Sequence, residues 1–307
     1  MPGRFRALVA TLAAAAALGG CGLGPGPGTR QVTLTVTEDF GAHAIGAVSD
    51  RRVPGAETVM RMLERSFTVG TRYGGGFVQS IDGHAGSSDQ HDWFYYVNGV
   101  EAARGAAATN VHRGDQIWFD LHDWHATDSV PAVVGSFPEP FRHGIGGKRY
   151  PVTVQCASGL DRACAKVSAA LTAAGIPSAS QGFGTGSGED TLAVVVATWR
   201  QVAGAVGANL IAHGPQASGV YARFAHVGHA LQLLNPAGSV VSTLGAGAGL
   251  IAATADQNSV PTWLVTGTDA AGVTAAAAAM TPSALHDHFA LAVTTTRRIP
   301  VPVAPGS

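Results

Sequence analysis

The chain has 307 residues, enough for two domains that each bury a core of their own once a leader is set aside. Charged residues make up only 13% of it and the formal net charge is −1, against about a quarter charged in ordinary soluble domains. That balance leaves no basic surface of the kind that holds nucleic acid, so nucleic acid is excluded as a partner.

The N-terminus opens with Arg4 and Arg6, runs apolar from Ala7 to Leu18 and closes on Leu18-Gly19-Gly20-Cys21. A charged start, a short apolar stretch and a small-residue cleavage site make a secretory signal over 1–20. The apolar run is too short to cross the roughly 30 Å of a bilayer core as a helix. Its Leu-x-Gly-Cys ending resembles a lipobox, which implies lipidation of Cys21 and a protein held outside the cell on the cell membrane. Residues 21–30, rich in Gly and Pro, read as the tether. Of the three cysteines this leaves Cys156 and Cys164, an even pair in an oxidising compartment, which points to a disulfide; a metal pair or a reactive thiol are the alternatives.

In the mature chain, Val32–Thr37 alternates apolar residues with Thr at period two and reads as a half-buried strand. Val59, Met62, Leu63 and Phe67, with charges between them, make one amphipathic helix. Tyr73-Gly74-Gly75-Gly76-Phe77 is a glycine hinge feeding a short strand through Ile81. Trp93–Val97 is apolar on both faces and ends on the hairpin turn Asn98-Gly99. Gly114-Asp115 then turns into a strand from Gln116 to His122. These elements predict an α+β fold: a small, β-grasp-like mixed sheet with one helix over 31–127, followed by a second α/β domain.

Taken in order, the helix, the Tyr73-Gly-Gly-Gly-Phe77 run with Ser80, Ile81 and Gly83, the Trp93-x-Tyr95-x-Val97-Asn98-Gly99 strand and Gly114-Asp115-x-Ile117-x-Phe119 resemble the transcobalamin-like C-terminal domain family. The resemblance covers about Val32 to Trp124. It implies a vitamin-like ligand, with a corrinoid such as cobalamin or cobinamide the best-named candidate as transported cargo. In bacteria it further implies a membrane importer of the energy-coupling type as partner. Gly75, Gly76 and Phe77 beside Trp93 and Tyr95 form an aromatic and glycine surface on which a flat ligand could lie close to main chain. The alternative is that Phe77, Trp93 and Tyr95 are core.

Residues 128–149, with Pro131, Pro138 and Pro140, read as an interdomain linker. The second domain, 150–298, starts with a strand at 152–155, a helix carrying Cys164, Val167 and Leu171, the apolar strand Leu192–Val196, and a helix with Trp199, Val202, Val206 and Leu210. Antiparallel strands at Val220–Phe224, Ala230–Leu234 and Val240–Leu244 follow. Trp263–Thr266 and an Ala-rich helix through Met280 repeat the strand-helix order, and Ala290–Thr294 closes the domain. Three prolines make 299–307 a disordered tail.

A search for chemistry finds no HExxH and no Gly-x-Ser-x-Gly elbow. His122-x-x-His125, His226-x-x-His229 and His286-x-His288 lack the helical setting or third ligand a metal site needs, so no metal is expected. Asp120 and Asp123 beside His122 suggest acid/base work but read as solvated strand-end residues. Arg113-Gly114-Asp115 reads as a turn; Gly267-Thr268-Asp269 opens the Ala-rich helix, where its free N–H groups offer an anion site, but Thr268 or Asp269 as an N-cap explains it more cheaply. The expectation is a non-enzymatic binding protein with no required cofactor. An envelope interaction or scaffold protein without a small ligand is the alternative, favoured if the aromatic residues stand exposed rather than lining a cleft.

Overall fold

The computed structural model describes residues 31–304 apart from 51, 187, 189, 257 and 258. The signal, Cys21 and the tether lie outside the described residues. The protein is α+β.

In the first half the strands are β1 (Val32–Glu38), β2 (His43–Asp50), β3 (Val69–Arg72), β4 (Phe77–Ile81), β5 (His84–Ala85), β6 (His91–Val97), β7 (Val100–Glu101) and β8 (Gln116–Asp123). The main sheet runs β2-β1-β8-β6-β7, with β1 and β8 parallel at its centre and the other pairs antiparallel. Val32, Leu34 and Val36 alternate inward from β1, as the period-two pattern requires, and meet helix α1 (Val59–Ser66) through Val59, Met62 and Leu63. Thr58 caps that helix by accepting from Arg61 N at 3.3 Å. Strands β3, β4 and β5 form a separate small antiparallel sheet.

The second half carries β9 (Val152–Cys156), β10 (Ala179–Gly182), β11 (Leu192–Thr198), β12 (Ala222–Ala225), β13 (Ala230–Leu234), β14 (Val240–Leu244), β15 (Gly249–Thr254), β16 (Thr262–Gly267), β17 (Ala290–Val293) and β18 (Arg298–Val301). Its main sheet runs β10-β9-β11-β16-β15-β17-β18, parallel from β10 to β16 and antiparallel beyond, while β12-β13-β14 is a separate meander. The helices are α2 (Asp161–Ala173), α3 (Trp199–Val202), α4 (Val206–Ala212), α5 (Pro215–Ser218), α6 (Ala270–Ala279) and α7 (Pro282–Leu285). A disulfide joins Cys156 at the end of β9 to Cys164 in α2.

Three local readings are corrected. The helix expected through Trp199 and Leu210 is two short ones, because Gly204 at φ +93° breaks the path between α3 and α4. The first part of the tail expected from 299 is a strand: Ile299, Pro300 and Val301 pair with β17 at the sheet edge, where a proline needs no ladder donor. Residues 128–149 connect the two halves but are no exposed linker. Val130, Val133, Val134, Phe137 and Phe141 are buried, and Phe141 packs edge-on against Trp263 at 5.0 Å.

That segment belongs to one core that runs across both halves. Phe40, Tyr96 and Trp118 from the first half join Tyr221 and Phe289 from the second, with Phe40–Phe289 at 5.0 Å and Trp118–Phe289 at 5.2 Å. Val134 N donates to Phe289 O at 3.1 Å across the same seam.

Candidate ligand-binding site

Strands β3 and β4 are joined by the glycine run, and the conformation there explains its composition. Tyr73, Gly74 and Gly75 all take positive φ, at 54°, 70° and 92°, which side chains other than glycine seldom adopt. The turn stands free of the body: a Cβ added at Gly74 or Gly75 would meet nothing within 4 Å. Tyr73 is 87% exposed and Phe77 37%, with their rings edge to face at 6.3 Å. The result is a pair of aromatic rings flanking glycine main chain that no side chain covers.

The sequence-assigned residues separate. Gly75, Gly76 and Phe77 are on this tip. Trp93 turns into the core of the first half, 7% exposed, and its indole N–H donates to His84 O at 3.3 Å. Tyr95 lies between the two, stacked on Phe119 at 5.0 Å. Its hydroxyl donates to Arg104 O and is 2.8 Å from Thr109 Oγ1, so it fastens the 104–109 loop to β6. Burial raises the Tyr95 phenol above its ordinary pKa, with the Thr109 bond opposing. That loop in turn supports the tip, since a Cβ on Gly105 would lie 3.2 Å from Gly76 O. Tyr73 was not singled out from sequence, although it stands in the same Tyr-Gly-Gly-Gly-Phe run; its exposure follows from the turn's left-handed backbone rather than from hydropathy.

Asp120 is a correction: it is buried, at 0% exposure, not solvated at a strand end, and His122 beside it is 1% exposed. Asp120 accepts from Phe40 N at 3.0 Å, Gly41 N at 2.8 Å and Thr37 Oγ1, and pairs with His122 Nδ1 at 2.8 Å. The imidazole is held between the rings of Phe40 and Phe94, each at 4.5 Å. Trp118 Nε1 donates to Thr37 Oγ1 at 2.7 Å and extends the network. The hydroxyls of Tyr96 and Tyr221, in the same core, find no partner among the described residues, and burial pushes both phenols up. A carboxylate saturated by four donors and a histidine wedged between phenyl rings organise the seam between the halves.

The remaining histidine pairs are dispersed. His125 is exposed and bonds to Asp123 at 2.7 Å, apart from buried His122. His286 pairs with its neighbour Asp287 at 2.9 Å, while burial lowers the pKa of His288. Among the described residues no three His, Cys, Asp or Glu side chains gather as metal ligands would.

Residues 56–123 match the family described as Domain of unknown function (DUF4430). The match holds α1, the β3–β4 tip, β6 and β8, and spans well under half of the chain. No curated protein matches the chain.

Proposed function

We propose that this is an extracytoplasmic, lipid-anchored binding protein that takes up a flat, vitamin-like ligand on the β3–β4 tip and hands it to a membrane importer of the energy-coupling type. It is not an enzyme in this reading. The observation that carries it is the Tyr73–Phe77 pair, exposed at 87% and 37%, around glycines with open space above them. Large planar rings gain from aromatic contact, and glycines let them reach main-chain donors and acceptors. The resemblance of the matched segment to the transcobalamin-like C-terminal domain family makes a corrinoid the first ligand to try. Contact then centres on Tyr73, Phe77 and the glycines, with Trp93 and Tyr95 as supports.

The same exposure also favours a second reading, an envelope interaction protein whose tip meets a protein or glycan, because these rings stand on a projecting turn rather than in a cleft. Calorimetric titration of the full-length chain with cobalamin and with cobinamide separates the two. Saturable heat that disappears in Tyr73→Ala and Phe77→Ala supports ligand uptake. Absence of heat with both ligands at about 0.1 mM, where a Kd in the micromolar range gives saturation, refutes autonomous corrinoid binding and leaves the interaction reading.

A further inference from the structure

A cleft lies in the second half, outside the carboxyl ends of β11 and β16, with a volume of about 510 Å³. In α/β sheets the carboxyl ends of parallel strands are where loops leave room for ligands. The polar groups around this cleft fall into two sets. One is already satisfied: Thr198 Oγ1 donates to Gln201 Oε1 at 2.8 Å, and Gln201 Nε2 donates to Ser158 O at 3.0 Å. Thr268 Oγ1 donates to main-chain carbonyls. The Asp269 carboxylate accepts from Gly247 N at 2.8 Å and Gly272 N at 2.9 Å, which offsets its charge and caps α6.

The other set is Arg200 and His229, which are exposed and whose side chains make no hydrogen bond or ion pair among the described residues. They are held together by the β12–β13 turn. His226 and Val227 take φ of 50° and 55°, unusual for a β-branched residue, and Gly228 takes 92°. A Cβ on Gly228 would sit 2.8 Å from Trp199 Cδ1 and 3.4 Å from Arg200 Cγ, so the turn's main chain lies directly on the α3 side chains. Trp199 is fixed from below by stacking on Phe224 at 4.2 Å. The stem of Arg200 therefore lies against the turn that ends on His229, and both residues line the one cleft.

We infer that this cleft binds a small ligand through an oxyanion, a phosphate or a carboxylate, received by Arg200 and His229. A guanidinium offers a planar pair of donors matched to either group, and an imidazole adds a third. The site is separate from the β3–β4 tip and stands or falls independently of it.

The test is calorimetric titration of the full-length chain with inorganic phosphate and with citrate, the two probes distinguishing the phosphate from the carboxylate source. Saturable binding of either is expected, weakened about tenfold or more in Arg200→Gln. Ala246→Leu, which narrows the cleft and leaves Arg200 and His229 in place, is expected to weaken it as well, and Tyr73→Ala to leave it unchanged. No saturable heat with either probe up to about 10 mM, a Kd too weak to count as a site, overturns the inference. So does binding that survives Arg200→Gln, or binding lost in Arg200→Gln yet untouched by Ala246→Leu, which would place the anion elsewhere.

Discussion

Replacing Asp120 by Ala is the sharpest test of the seam between the two halves. The carboxylate is fully buried and receives Phe40 N, Gly41 N, Thr37 Oγ1 and His122 Nδ1. Truncation strands Phe40 N and the imidazole away from water, while Gly41 N is only part-buried. Thr37 has an alternative, since its hydroxyl is already 3.5 Å from Phe119 O. Phe40 N and the imidazole Nδ1 have none among the described residues. A stranded buried donor costs about 1–3 kcal/mol, so the substitution should cost about 3–5 kcal/mol, in line with the loss of one partner of a buried pair. Asp123→Ala is the control: that carboxylate is partly exposed and among the described residues bonds only to nearby His125, so its loss should cost less than about 0.5 kcal/mol. Urea unfolding followed by tryptophan fluorescence reads both, and Trp118, bonded to Thr37, reports from inside the network. A loss for Asp120→Ala no larger than for Asp123→Ala would refute the reasoning and restore the solvated strand-end reading.

Cys164→Ser opens a cross-link of eight residues' separation and should lower stability by about 2–3 kcal/mol through the freed loop; mass spectrometry after alkylation without reductant should find Cys156 and Cys164 unlabelled in the parent chain. Glu101 has its carboxyl raised above the ordinary range, first by burial, with the Ser129 bond opposing. Its folded pKa exceeds the unfolded one, so the stability it contributes is full below the unfolded value and is lost as pH rises through the folded value; thermal unfolding of Glu101→Gln should match the parent in acid and exceed it at neutral pH. Gly228→Ala combines a left-handed backbone with a contact at 2.8 Å to the Trp199 ring, whereas Gly74→Ala, also left-handed, meets nothing within 4 Å. Denaturation should show a loss of about 1–2 kcal/mol for Gly74→Ala, the backbone strain alone, and a visibly larger one for Gly228→Ala.

Elements with strong periodicity were readable. The alternation in β1, the amphipathic stripe of α1, the continuous apolar run of β11 and the Asn98-Gly99 turn each fall where the pattern places them. β15 was not, and packing explains why. Gly249, Ala252 and Ala253 in it are small, and α6 crosses Gly249 at close range: a Cβ there would lie 2.2 Å from Gly272 O. Small residues selected for close approach carry little strand propensity. β2 was missed for the opposite reason, being an edge strand with an exposed face and no apolar alternation. The buried state of Asp120 and His122 depends on the second half closing over β8 through Phe289 and Tyr221, more than a hundred positions away in the first case, and no local pattern reports such a lid.

The same distinction between local pattern and tertiary context decides how the aromatic surface must be probed. Trp93 packs in the core with Val78, Ile81 and Leu121 among its cluster, so Trp93→Ala removes a large buried ring and should cost about 3–5 kcal/mol whatever the tip binds. A loss of ligand in that variant alone says nothing about contact. Tyr73 is 87% exposed and its removal leaves the core untouched, so Tyr73→Ala should unfold within about 0.5 kcal/mol of the parent. Tyr95 is intermediate: Tyr95→Phe keeps the stack on Phe119 and removes only the tie to Arg104 O and Thr109, loosening the loop beneath Gly76. If the tip is the binding surface, affinity must fall in Tyr73→Ala at unchanged stability, and fall less in Tyr95→Phe. If affinity instead follows stability across Trp93→Ala, Tyr95→Phe and Tyr73→Ala, the rings at the tip make no contact and the surface lies elsewhere.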